Sequence, residues 1–145
     1  MESSAKGRSR HVELDLDQLV ELQPGLGRLM PEVGRRYWIL YYAAQGGNWE
    51  LARYQWRGLQ TLFGMGAMLR PKMAMHLHSF QASTMQDLER AMENRSWPEF
   101  ERVFQAGIEL ANRLHVATNH PEIRWVLPAE PPQDLDLGPA PSDPA

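Results

Sequence analysis

Cysteine is absent from the 145 residues. That absence removes disulfides, thiolate zinc and iron–sulfur sites, cysteine nucleophiles and covalent thioether haem. An excess of either charge is missing too: 15 Lys+Arg stand against 18 Asp+Glu, a formal net charge of -3. So mild a balance gives no general electrostatic reason to expect nucleic acid or an anionic membrane as partner. No apolar stretch approaches the ~18 residues that spanning a bilayer requires. The start, Met1 to His11, is polar, with Lys6, Arg8 and Arg10, and does not read as a signal peptide. The expected location is therefore cytoplasmic. Strand patterns are scarce as well; Ile123 to Leu127 could at most make one extended stretch.

What is present is unevenly distributed. From Pro128 to Ala145 the chain holds six of its 11 prolines and four acids (Glu130, Asp134, Asp136, Asp143), with no Lys or Arg. Proline removes backbone donors and little apolar surface is available there, so this stretch forms neither helix nor core by itself. Leu135 and Leu137 could still anchor it along the body. The expected division is a flexible polar segment over 1–20, one folded domain over 21–127 and a Pro-rich acidic tail over 128–145.

The domain reads as four helices. Leu26, Met30, Val33, Tyr37, Leu40, Tyr41 and Ala44 recur at three- and four-residue steps, and Gly46-Gly47 ends that first helix. Asn48 is a good N-cap for a second, carrying Ala52, Trp56, Leu59, Phe63 and Gly66 on one face and stopping before Pro71. A third places Met73, Leu77, Phe80, Thr84, Leu88 and Ala91 on one stripe. Ser96-Trp97-Pro98-Glu99 has capping-box spacing and opens a fourth, with Phe100, Val103, Phe104, Gly107, Ala111, Leu114 and Thr118 on its face. Short connections force antiparallel neighbours. The expected fold is all-α: an antiparallel up-down-up-down four-helix bundle with a Pro-rich acidic C-terminal extension.

Chemistry is thinly marked. A di-iron carboxylate bundle uses Glu-x-x-His pairs, and no glutamate here is followed three positions later by histidine. The zinc-protease pattern, a nucleophile elbow and a phosphate loop are also absent, so no enzyme is expected. Met73-Ala74-Met75-His76-Leu77-His78 mixes thioether and imidazole, a set that suits copper. Either Met75/His78 or Met73/His76 would share a helix face, and core filling is the alternative. Tyr37-Trp38-Ile39-Leu40-Tyr41-Tyr42 presents two aromatic pairs on adjacent faces, read either as core plus a dimer seam or as the wall of a ligand pocket. Arg28, Arg35, Arg36, Arg53 and Arg57 make a basic cluster. It is a solvated face, or it holds an anionic ligand or the chain's own acidic tail.

Three stretches carry a resemblance. Ala111-Asn112-Arg113-Leu114-His115 lies near the C-terminal end of the last helix, where cytochromes c′ carry Cys-x-x-Cys-His. The run from Arg36 to Ala52 is similar to the family's Arg, Leu-aromatic-aromatic-Ala and Asn-Trp-x-Leu-Ala pattern. His120 to Pro128 is similar to its extended ending. The chain thus resembles the cytochrome c′-like four-helix bundle family over most of residues 24–128. The resemblance puts the two cysteine positions at Ala111 and Leu114 and the axial histidine at His115, and implies a homodimer formed through the first two helices. Without the cysteines, covalent haem is not implied. The expectation is a haem-free, non-catalytic binding or accessory protein with no cofactor, whose partner is a small aromatic or anionic ligand. Its expected site is lined by Tyr37, Tyr41, Phe63, Phe80, Phe104 and His115, with Arg36 nearby. The alternative is non-covalent haem on His115, with the Met30/Tyr37 region opposite.

Overall fold

The computed structural model describes residues 5–139. Helix dominates. A two-stranded antiparallel hairpin, β1 (Lys6–Arg8) and β2 (Glu13–Asp15), leads into the short helix α1 (Leu16–Glu21). Then come α2 (Leu26–Gln45), α3 (Trp49–Leu69), a 3-10 turn (Pro71–Met73), α4 (Ala74–Phe80), a π turn (Gln81–Met85), α5 (Gln86–Glu93) and α6 (Trp97–Ala117). Among the described residues, no helix is long and apolar enough to cross a membrane.

The apolar stripes become the core. Val33, Tyr37, Leu40 and Ala44 of α2 meet Ala52, Leu59 and Phe63 of α3, and with Phe80, Met85 and Leu88 they enclose Phe100 and Phe104 of α6. Gly46, Gly47 and Asn48 fold α3 back along α2. Gly47 takes a φ of +78°, the left-handed conformation that glycine reaches without a Cβ penalty. Asn48 caps α3, its Oδ1 accepting the Leu51 N–H at 3.1 Å. Ser96 caps α6 in the same way through the Glu99 N–H at 3.4 Å. The reciprocal half of that expected capping box does not form, because the Ser96 N–H is donated to the Ala91 carbonyl at 3.0 Å. The complete box lies at the unexpected position Asp15/Gln18, at the start of α1.

Two parts of the chain show more structure than their pattern indicates. The segment read as flexible over 1–20 carries β1, β2 and most of α1; its first four residues lie outside the described residues. Hydrogen bonding to a local partner, rather than core packing, gives it structure, since its side chains are largely exposed. The third helix is not uniform. The π turn inserts between α4 and α5 and shifts their faces relative to one another, and the Trp56 indole N–H donates to the Met85 carbonyl at its end, at 2.8 Å.

The Pro-rich extension is held against α2 as far as it is described, residues 140–145 lying beyond. Asn112 clamps the Trp125 peptide on both sides, accepting its N–H at 2.6 Å and donating to its carbonyl at 3.0 Å. The Tyr42 hydroxyl donates to the Pro128 carbonyl, and Arg35 pairs with Asp134. The Leu137 carbonyl passes so close to Gly46 that a Cβ there would collide with it. Trp38 packs against Trp125, ring centroids 5.2 Å apart. The aromatic surplus read as a dimer seam is therefore partly covered from within the chain.

Candidate functional site

Proline at position 71 stops α3, and Asn119, at a φ of +72°, closes α6. Both interruptions fall at the end of the molecule where α2 begins, and the helices leave a cavity of ≈ 440 Å³ there. Its floor is apolar and buried: Phe63 from α3, Leu77 and Phe80 from α4, Ala111 from α6. Leu26 and Met30 from α2 and Leu114 from α6 form the sides. The segment after α6 closes one wall with Ile123 and Trp125, and Arg70, His76 and His120 stand towards the rim. The volume lies within the range of small-molecule sites, and an apolar lining with a few polar groups is their usual composition.

His115 is the polar group set into this lining. Its ring lies 6.0 Å from that of Trp125, edge to face at 69°. Its Nδ1 is buried and has no hydrogen-bond partner among the described residues, an uncommon state for a buried polar atom. Burial holds the imidazole below its ordinary pKa; the Ile123 backbone acts in the opposite direction, and His120 adds to the lowering. His115 is thus favoured in the neutral form, able to accept or donate one hydrogen bond or to offer a ring nitrogen to a metal.

The residues expected to line one site separate into two places. Phe63, Phe80 and His115 line the cavity. Tyr37 and Phe104 do not: their rings stack at 4.0 Å and 14° in the closed core, and the Tyr37 hydroxyl donates to the Phe104 carbonyl at 3.1 Å. Burial alone raises the Tyr37 hydroxyl far above its usual pKa, so it remains a neutral donor. Tyr41 is also in the core, its hydroxyl raised first by burial and then by Glu101, to which it is bonded at 3.2 Å. Arg36 lies on the α2–α3 flank, bonded to Gln55 at 2.9 Å and Glu32 at 3.2 Å. These four stand away from the cavity because their stripe positions face the helix crossings, whereas the cavity opens only where the helices end.

Arg70, Gly25, Gly27 and Trp125 line the cavity without having been singled out. The signal for Arg70 was its place before Pro71, the position at which α3 must stop. The sulfur–imidazole run also divides: Met73 and His76 reach the cavity, while Met75 and His78 are exposed. Among the described residues, no three or more His, Asp or Glu side chains gather as a metal site. Of the arginine cluster, Arg35 holds the acidic tail through Asp134. No family model matches the chain, and neither a curated protein nor a solved structure does.

Proposed function

We propose that residues 21–127 form a haem-free, cytochrome c′-like, up-down-up-down four-helix bundle that serves as a non-catalytic binding protein. It holds a small apolar molecule in the end cavity beside His115. The observation that carries this reading is the cavity itself, an apolar space with His115 among its lining residues. Ala111, Leu114 and His115, the positions to which the resemblance assigns haem attachment, all line it. A thermal-shift screen against aromatic and acyl compounds tests it: saturable stabilisation that Leu114→Phe removes is the expected result. No shift across the set, for a protein that melts cooperatively, overturns it.

One observation favours a second reading, non-covalent haem. The His115 imidazole lines a cavity bordered on another side by the Met30 thioether. Haem, if bound, would be held by His115 and the apolar walls, and would supply redox or gas-binding chemistry. Protein supplied with haem then shows a Soret band that His115→Ala abolishes. A colourless protein rejects this reading and leaves the first untouched.

Pairing of two copies through α2 and α3, in a cytoplasmic protein, completes the proposal. Its support has narrowed to exposed Tyr54, Met65 and Met68 on α3, since Trp38 and Tyr42 meet the C-terminal segment. Sedimentation at micromolar concentration tests it, with a monomer counting against pairing.

A further inference from the structure

The rim of the cavity has a charge character that its floor lacks. The residues lining it include one arginine and three histidines, and no Asp or Glu. Among the described residues, the Arg70 side chain makes no ion pair; its one hydrogen bond runs from Nη1 to the Leu69 carbonyl at 2.9 Å. Glu122, in the segment after α6, is engaged by His120 at 2.8 Å. The Arg70 guanidinium is also seated, not merely nearby. It lies over Gly25, where a Cβ would come within 2.6 Å of Nη2 and 3.3 Å of Cζ. Gly25 has an ordinary φ of -93°, so glycine is not required there by the backbone. What it leaves is room for the guanidinium against the opening of α2. That helix start has no side-chain cap and no acid in its first turn, so no carboxylate in it opposes an anion beside Arg70.

A cavity that is apolar within and cationic at one rim matches an amphipathic anion. We propose that the ligand is an organic carboxylate, its apolar body between Phe63, Phe80 and Leu114 and its carboxylate paired with Arg70. This deepens the reading of the cavity as a ligand site and depends on it. A guanidinium pairs with a carboxylate through charge-assisted hydrogen bonds, which an uncharged amide or alcohol cannot supply.

The test is a matched pair of probes, 2-naphthoate and 2-naphthamide, titrated by calorimetry into the full chain. Expected is saturable binding of both, with the carboxylate tighter by about tenfold at low salt and the gap closing as salt rises. Arg70→Gln removes the preference, the carboxylate losing several-fold more affinity than naphthamide. Gly25→Ala, which keeps the charge and displaces the guanidinium, reduces the preference in the same direction. Arg70 is exposed and the Gly25 backbone accepts alanine, so both variants fold; melting curves check this. Equal binding of the two probes by the unaltered chain overturns the anion assignment and leaves the ligand site standing. Binding of neither probe up to millimolar concentration overturns the assignment together with the site.

Discussion

Tyr37 lies flat on Phe104 at 4.0 Å and donates its hydroxyl to the Phe104 carbonyl at 3.1 Å, so one side chain both fills and polarises the centre of the core. This arrangement requires Gly107. A Cβ at that position would collide with the Tyr37 hydroxyl and with Thr84 of the π turn. Gly107→Ala is therefore expected to destabilise by about 1–3 kcal/mol, the range for overpacked cores. Tyr37→Phe alone costs about 1 kcal/mol through the lost hydrogen bond. The two changes together cost less than their sum, because Phe removes one of the colliding atoms. Urea unfolding of the four proteins measures the coupling, and strict additivity would separate Gly107 from Tyr37.

Asn112 is the pin of the C-terminal segment, holding the Trp125 peptide on both sides. Asn112→Ala leaves a partly buried peptide unpaired and is expected to cost about 1–3 kcal/mol. Amide exchange in residues 120–128 should quicken more than in α2 or α3. A uniform change through the whole chain would mean the segment is not an independently opening unit.

The ion pair between Arg35 and Asp134 contributes much less. Its side chains are 52% and 64% exposed, and exposed pairs are worth under about 1 kcal/mol. Asp134→Asn should leave the melting curve nearly unchanged and the fluorescence of Trp125 unaltered. A loss comparable to that of Asn112→Ala would show that charge, not the peptide clamp and the Tyr42 bond, holds the segment.

His115 predicts a pH dependence with a definite sign. Burial lowers its folded-state pKa below the ordinary value, so the unfolded chain binds the proton more readily. Stability that is fully present above about pH 6.5 is then lost as the pH falls through the folded pKa. Melting curves at pH 7.5 and 5 should show a drop in the unaltered protein that is smaller in His115→Leu. An equal drop in both places the acid sensitivity elsewhere.

The helices were readable because burial repeats along them. The stripe from Leu26 to Ala44 and that from Phe100 to Ala111 both turn inward, and Asn48 and Ser96 cap where their side chains allow. The site was half readable. A stripe identifies residues that leave water, but it does not say whether they meet a neighbouring helix or an opening. Tyr37 and Phe63 look alike by that measure, yet one is stacked in the core and the other floors the cavity. The cavity depends on where α3 and α6 stop and on how Trp125 folds back onto Asn112. The π turn adds a change of register that no helical period contains.

The central claim is that the end cavity is a binding site, and calorimetric titration of 2-naphthoate into the unaltered chain and into Leu114→Phe tests it most directly. The expected result is saturable heat of one ligand per chain, lost when the phenyl ring fills the cavity while the cooperative melt is retained. Absence of saturable heat from the unaltered chain, or the same titration curve from both proteins, would contradict it.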